Sequence, residues 1–148
     1  MWEIEAASKG LVRLIYASRW AKAGGAGLAE EVRIITAKSI HNNRLVDITG
    51  FLAFGGDRFL QLLEGPAGEV DTTFGRIRSD SRHADVTVIA RGQAERRLFR
   101  DWNMAQHQVS AADKSVLAAA GLKAFTPEVL DETGAMEVLT ALGGRHRR

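Results

Sequence analysis

The spacing of apolar residues changes period several times along the chain. LVRLIYAS (residues 11–18) is dense in aliphatic and β-branched side chains and predicts a strand. RWAKAGGAG (19–27) reads as a Gly/Ala loop. From Leu28 to Asn43 the period becomes helical: Leu28, Val32 and Ile35 are four and three apart, and Ser39 and Asn42 continue the stripe. ITGFLAF (48–54) predicts a second strand, GGD (55–57) a hairpin turn, and RFLQLLEG (58–65) a third strand. Pro66 suits the first position of a helix whose buried face carries Val70, Phe74, Ile77 and Ser81. VTVIARG (86–92) predicts a fourth strand. ERRLFRDWNMAQ (95–106) reads as a loop running into a fifth, edge-like strand around Asn103 to Gln108.

Strand, helix, strand, strand, helix, strand is the split βαβ order of an α+β, ferredoxin-like sandwich, with two helices on one face of the sheet. The third strand is apolar on both faces, so the second face also needs a cover. The last third of the chain offers one. Ala111 to Ala120 is helix-prone and stops at Gly121. Thr126-Pro127-Glu128 resembles a helix start, followed by an apolar side of Val129, Ala135, Val138, Leu139 and Leu142 and a stop at Gly143-Gly144. The expected organisation is a core over residues 1–108 and a C-terminal helical cap with a solvated basic tail, RHRR, over 109–148.

Composition narrows the chemistry. A chain of 148 residues with 45% hydrophobic and 26% charged residues suits one globular domain, and a net charge of +2 is too small to argue for a nucleic-acid surface. There is no cysteine, hence no disulfide and no thiolate chemistry. No apolar run reaches membrane-spanning length, and the first residues lack a signal-peptide core. The histidines, His41, His83, His107 and His146, do not fall at metal-ligand spacing. The expectation is a soluble, cytoplasmic protein without a metal, a nucleic-acid partner or a membrane.

Several polar residues fall where a core is expected. Gln61 shares a strand face with Phe59 and Leu63. Tyr16, the one tyrosine of the chain, shares a face with Val12 and Leu14. Asn42 and Asn43 end the first helix in the register of its buried stripe. A ferredoxin-like sheet sets strands one and three side by side, so Tyr16 and Gln61 become neighbours. An unpartnered buried amide costs about 1–3 kcal/mol. The bland account is mutual satisfaction, with the asparagines as helix caps; the other is a pocket for a planar, hydrogen-bonding heterocycle between the two helices. Arg76 and Asp80, four apart on the second helix, read as a surface ion pair or as the outer edge of that pocket. Trp102 and Met104 read as packing, or as neighbours that respond to Gln61.

Five stretches in order, LIYAS, IHNNRLVDITGFLAF, RFLQLLEG, RIRSDSRH and DWNM, resemble the BLUF family of blue-light sensors that use a flavin, over about residues 10 to 106. The C-terminal helices resemble the cap of short, stand-alone members. The resemblance implies a photoreceptor rather than an enzyme, with FAD as cofactor and FMN or riboflavin as lesser alternatives. Tyr16 takes the place of the redox-active tyrosine and Gln61 that of the switching glutamine. Asn43, Asn42 and Ile35 take flavin-contact positions, Arg76 and Asp80 the polar pair near the pyrimidine end, and Trp102 and Met104 the pair that adjusts around the glutamine. Light would rearrange the Tyr16–Gln61–flavin hydrogen bonds, and the output would pass to a separate signalling protein through the back-face helices or a dimer surface.

Three other readings share the topology. A flavin-free ligand-binding or interaction module needs only the shape. An RNA-recognition module needs outward aromatics on the central strands, where Phe51 is the one candidate. An acyl-phosphate hydrolase would need a glycine-rich loop before its arginine, and here Arg19 precedes the glycines.

Overall fold

In the computed structural model, which describes residues 10–21 and 28–146, the elements are β1 (Leu11–Trp20), α1 (Leu28–Leu45), β2 (Thr49–Gly55), β3 (Arg58–Pro66), α2 (Ala67–Ser79), β4 (His83–Gln93), β5 (Ala105–Gln108), α3 (Lys114–Ala119) and α4 (Glu132–His146). Single 3-10 turns at Ala111–Asp113 and Pro127–Val129 precede the last two helices. The strands form one sheet in the order β4-β1-β3-β2-β5. β1 pairs antiparallel with β3 and β4, β2 pairs antiparallel with β3, and β5 joins β2 in parallel. This is the ferredoxin-like α+β sandwich with an added edge strand.

Side chains alternate across the sheet, and both faces are buried. Leu14, Tyr16, Phe59 and Leu63 face α1 and α2, where they pack with Val32, Val70 and Phe74. Ile15, Phe51, Leu60 and Leu62 face the other way, onto Leu117 of α3 and Val138, Leu139 and Leu142 of α4. The double cover explains why β3 carries apolar residues on both faces. It also places Phe51 under helices, where no base could stack on it.

The element boundaries differ from the sequence expectation where packing overrides local signals. β1 runs on through Arg19 to Trp20, because Trp20 stacks on Phe59 at 5.6 Å between ring centroids. The Gly/Ala stretch at 22–27 lies outside the described residues. α1 continues past Asn43 to Leu45, so the asparagines lie within its last turns rather than capping it; the left-handed residue is Asp47, at φ 61°. Pro66 is the N-cap of α2 rather than its first residue, and Ser81 lies past its end. β4 starts at His83, whose ring meets those of Trp20 and Phe59 edge-on.

The cap differs most. Pro127 opens only one 3-10 turn, and α4 starts after Asp131, whose side chain accepts from the Gly134 N–H at 2.8 Å. Val129 is exposed rather than part of the apolar side. α4 does not stop at Gly143-Gly144. A β-carbon at Gly143 would lie 2.8 Å from Phe99, so that glycine is a close-approach position inside the helix.

Candidate functional site

β3 carries Gln61 on the face shared with Phe59 and Leu63, and β1 sets Tyr16 directly opposite it. The Tyr16 hydroxyl donates to Gln61 Oε1 at 2.5 Å. Gln61 Nε2 donates to Met104 Sδ at 3.3 Å. Tyr16 is 1% exposed, Gln61 7% and Met104 4%, so water solvates this row very little. Burial holds the Tyr16 phenol far above its ordinary pKa, in the neutral, donating form. With the hydroxyl donating, the amide is oriented: oxygen toward Tyr16, nitrogen toward Met104. A thioether is a weak acceptor, so Nε2 retains hydrogen-bonding capacity. Phe74 leans on the Tyr16 ring at 5.3 Å and His83 meets it edge-on at 6.5 Å. His83 bonds Ser18 through Nδ1 at 2.9 Å, and burial lowers its pKa, which favours the neutral ring.

Met104 owes its position to a set of hydrogen bonds around the segment between β4 and β5. Asn43 Nδ2 donates to the Asn103 carbonyl at 2.8 Å, and Asn103 Nδ2 donates to the Ile48 carbonyl at 3.0 Å. The Gly50 N–H donates to the Trp102 carbonyl at 3.0 Å. Further back, the buried Glu64 carboxylate accepts from the Leu98 and Phe99 N–H groups at 2.8 and 2.7 Å and from the Thr49 hydroxyl at 3.1 Å. Arg97 crosses the same junction, reaching Thr49 Oγ1 and the Glu64 and Asp47 carbonyls. Sequence reasoning missed Asn103 and Glu64. Glu64 had a usable signal: it continues the Leu60, Leu62 register, an acid on a buried strand face.

Between α1 and α2 a cleft of about 330 Å³ opens over Gln61. Ile35, Leu63 and Ile77 give it apolar walls, and Asn42, Asn43 and Gln61 give it amides. Asn43 spends one N–H on Asn103, which leaves its second N–H and its oxygen for a ligand. Gln61 and Asn43 are buried, whereas Ile34, Lys38, Asn42 and Arg76 are exposed and mark the mouth. A flat heterocycle with apolar faces and a polar edge fits this donor set and these walls.

Two expected arrangements do not form. Asp80 pairs with Arg82, not Arg76: Arg82 Nη2 lies 2.5 Å from Oδ2, Nε lies 3.0 Å from both oxygens, and the Arg82 N–H bonds Oδ1 at 2.9 Å. α2 ends at Ser79, so the helical i,i+4 geometry required by the Arg76–Asp80 pair is absent. The Arg82 contacts bring the Asp80 carboxyl down to about 2. Both Asp80 and Arg76 still line the cleft. Trp102 lies on the opposite face of the sheet from Gln61, stacked on Phe99 at 5.8 Å and 5.8 Å from the Phe51 ring. Met104 takes the place beside the glutamine.

Known proteins resemble this chain in sequence and in structure. Over 77 residues it is 35% identical to photoactivated adenylate cyclase subunit beta of Euglena gracilis, a match covering 52% of this chain and 8% of that one. It is 40% identical over 63 residues to the blue light- and temperature-regulated antirepressor BluF of Escherichia coli (strain K12), covering 41% of this chain and 16% of that one. The chain thus spans only a small part of these curated relatives. Among solved structures, the photo-activated state of BlsA superposes with a TM-score of 0.81 at 26% identity, covering 89% of this chain and 94% of that one. The dark state of BlrB, a BLUF protein, gives 0.70 at 28%, covering 90% and 97%. The BLUF family model, sensors of blue-light using FAD, matches residues 11–105. A Tyr–Gln pair under a heterocycle-sized cleft, in a chain matched by that model over most of its length, makes this protein a member of the BLUF family.

Proposed function

We propose that this chain is a blue-light sensor that holds FAD in the α1–α2 cleft and signals to a separate protein rather than catalysing a reaction. The observation that carries the reading is the buried row Tyr16–Gln61–Met104 along the base of the cleft. Asn43, Asn42 and Gln61 would hold the polar edge of the ring, Ile35 would pack on its face, and Arg76 and Asp80 would flank its outer end. A bound flavin supplies the blue-light absorption and the photo-oxidising power; the protein supplies orientation and proton positions.

The row can exist in two arrangements. A proton leaving Tyr16 Oη has Gln61 Oε1 as its acceptor. An amide that gains a proton at Oε1 and loses one from Nε2 becomes its imidic acid tautomer. A half-turn of the amide instead puts Nε2 against the phenol and Oε1 against Met104 Sδ. The tautomer leaves Nε2 one N–H in place of two, and the half-turn takes the amide donor from Met104 and sets its sulfur against an oxygen. Met104 directly precedes β5, and the opposite face of the sheet packs on α4. We therefore assign sensing to residues 1–108 and output to β5 with the helices of 109–148, with a second copy of the chain as the other partner that could read the change. Among the described residues no helix is long and apolar enough to cross a membrane.

The test is the visible spectrum of the purified protein. The reading predicts a flavin band that moves to longer wavelength under blue light and returns in the dark. A protein that stays colourless with added flavin contradicts it and favours a flavin-free interaction module.

A further inference from the structure

We infer that Asp113 is a positioning residue for the output: it joins β5 to α4 so that the two move together. The inference rests on the function proposed above and names a contact through which it would act. Asp113 closes the 3-10 turn between β5 and α3, and its side chain is 2% exposed. Its carboxylate gathers donors from both sides of that turn. His107 of β5 approaches Oδ2 through Nε2 at 3.0 Å, the Ser110 N–H donates to Oδ2 at 3.0 Å, and Arg145 of α4 donates to Oδ1 through Nη1 at 3.2 Å. Burial alone would favour the neutral acid. The bonds from His107 and the Ser110 N–H outweigh it and hold the carboxyl below its ordinary range. An ionised carboxylate only accepts, so His107 presents Nε2 with its hydrogen.

Arg145 fixes the other half of the joint. Its Nη1 also donates to the Ala112 carbonyl at 2.6 Å, and its Nη2 donates to Ser115 Oγ at 3.3 Å, so one guanidinium spans the turn and the start of α3. Elsewhere α4 meets the sheet through Ala135, Val138, Leu139 and Leu142, and apolar packing of this kind sets no direction. The Asp113 junction is directional, and stripping a partner from a buried carboxylate is costly. A displacement of His107 is therefore followed by Asp113 and Arg145 rather than absorbed by a broken bond.

β5 is placed to make such a displacement. It is an edge strand, paired with β2 alone. Met104, which accepts from Gln61 Nε2, directly precedes β5 and belongs to the cleft-side core. Ala105 packs on the opposite, cap side, and strand alternation sets His107 on that side with it.

The test is hydrogen exchange of the α4 amides in the flavin-loaded full-length protein, in the dark and under blue light, for the parent, Asp113→Asn, Arg145→Met and Arg145→Lys. Arg145→Met removes the cation and leaves Asp113 its bonds to His107 and Ser110, so it decides the matter if Asp113→Asn fails to fold. In the parent, α4 exchange should differ severalfold between dark and light. In Asp113→Asn and Arg145→Met that difference should vanish while the light-driven absorption shift remains, and Arg145→Lys should restore part of it. A merely structural role would raise exchange equally in dark and light and keep their ratio. The parent's ratio retained in Arg145→Met, or no dark–light difference in α4 of a parent that shifts its absorption, overturns the inference while the flavin reading stands. A parent protein without any absorption shift overturns both.

Discussion

Tyr16 and Met104 grip opposite ends of one amide: the phenol donates to Gln61 Oε1 at 2.5 Å, and the thioether accepts from Gln61 Nε2 at 3.3 Å. They come from β1 and from the residue preceding β5, on opposite sides of β3 in the sheet. A change in the amide is therefore felt on both sides of β3 at once. The weaker, sulfur side leads toward the sheet edge and the C-terminal helices.

Met104→Leu should separate this role from packing. Leucine keeps the volume, so stability should fall by less than about 1.5 kcal/mol. The amide nitrogen loses its protein acceptor, and the dark-recovery rate should change severalfold. Trp102→Phe, on the far face against Phe99, should leave that rate within about twofold, because an aromatic replacement there retains the stack. Recovery kinetics after a blue-light pulse check both. Equal effects from the two variants would contradict a distinct role for the Met104 sulfur.

The single tyrosine permits a clean pH experiment. Burial raises the folded-state pKa of Tyr16 above the unfolded value of 10.0. The stabilisation is therefore complete below pH 10 and is lost as pH rises from there toward the folded value. Tyrosinate absorbance should stay absent above pH 10 while the fold persists and should appear together with unfolding. A phenolate signal at pH 10 with circular dichroism unchanged would show that the hydroxyl is open to water.

Acid probes the cleft edge. Arg82 depresses the Asp80 carboxyl to about 2, so its contribution is full above the unfolded value near 3.8 and fades as pH falls toward 2. Asp80→Asn should flatten that part of the stability-against-pH curve and leave the neutral region nearly unchanged, as for a partly exposed pair worth less than about 1 kcal/mol. Urea melts at several pH values measure it. An undiminished acid slope in the variant would assign the loss to another carboxylate.

Gly50 is the packing test. A β-carbon there would lie 2.1 Å from the Leu62 carbonyl oxygen and 3.1 Å from Met104 Cε. Gly50→Ala must push β2 and β3 apart, at a cost of about 1–3 kcal/mol. Since the same contact touches Met104, the variant should alter recovery kinetics as well as the thermal midpoint. An unchanged midpoint would mean that the strands have room to spare.

Much of this was readable from residue order. The alternation around Gln61 and the density of LVRLIYAS place two central strands, and the split βαβ order makes them neighbours, so Tyr16 and Gln61 meet with no further information. The apolar second face of β3 likewise called for the helices that cover it. The failures share a physical cause: each depended on a tertiary partner. Trp20 extends β1 because Phe59 is there to stack on. Gly143 looks like a helix stop and is instead a gap for Phe99. Arg76 and Asp80 have helical spacing, but the helix ends between them. The side of the sheet taken by Trp102 depends on the path of the segment between β4 and β5, which is set by Glu64 and Asn103 through bonds to distant backbone groups.

The most direct measurement is the light-minus-dark absorption spectrum of the flavin-loaded protein beside its Tyr16→Phe variant. Phenylalanine keeps the ring against Phe74 and removes only the hydroxyl that holds Gln61 Oε1. The account predicts that both proteins carry flavin and that only the parent shows a reversible shift to longer wavelength. The same shift in Tyr16→Phe would contradict it, because the rearrangement of Gln61 would then proceed without the phenol.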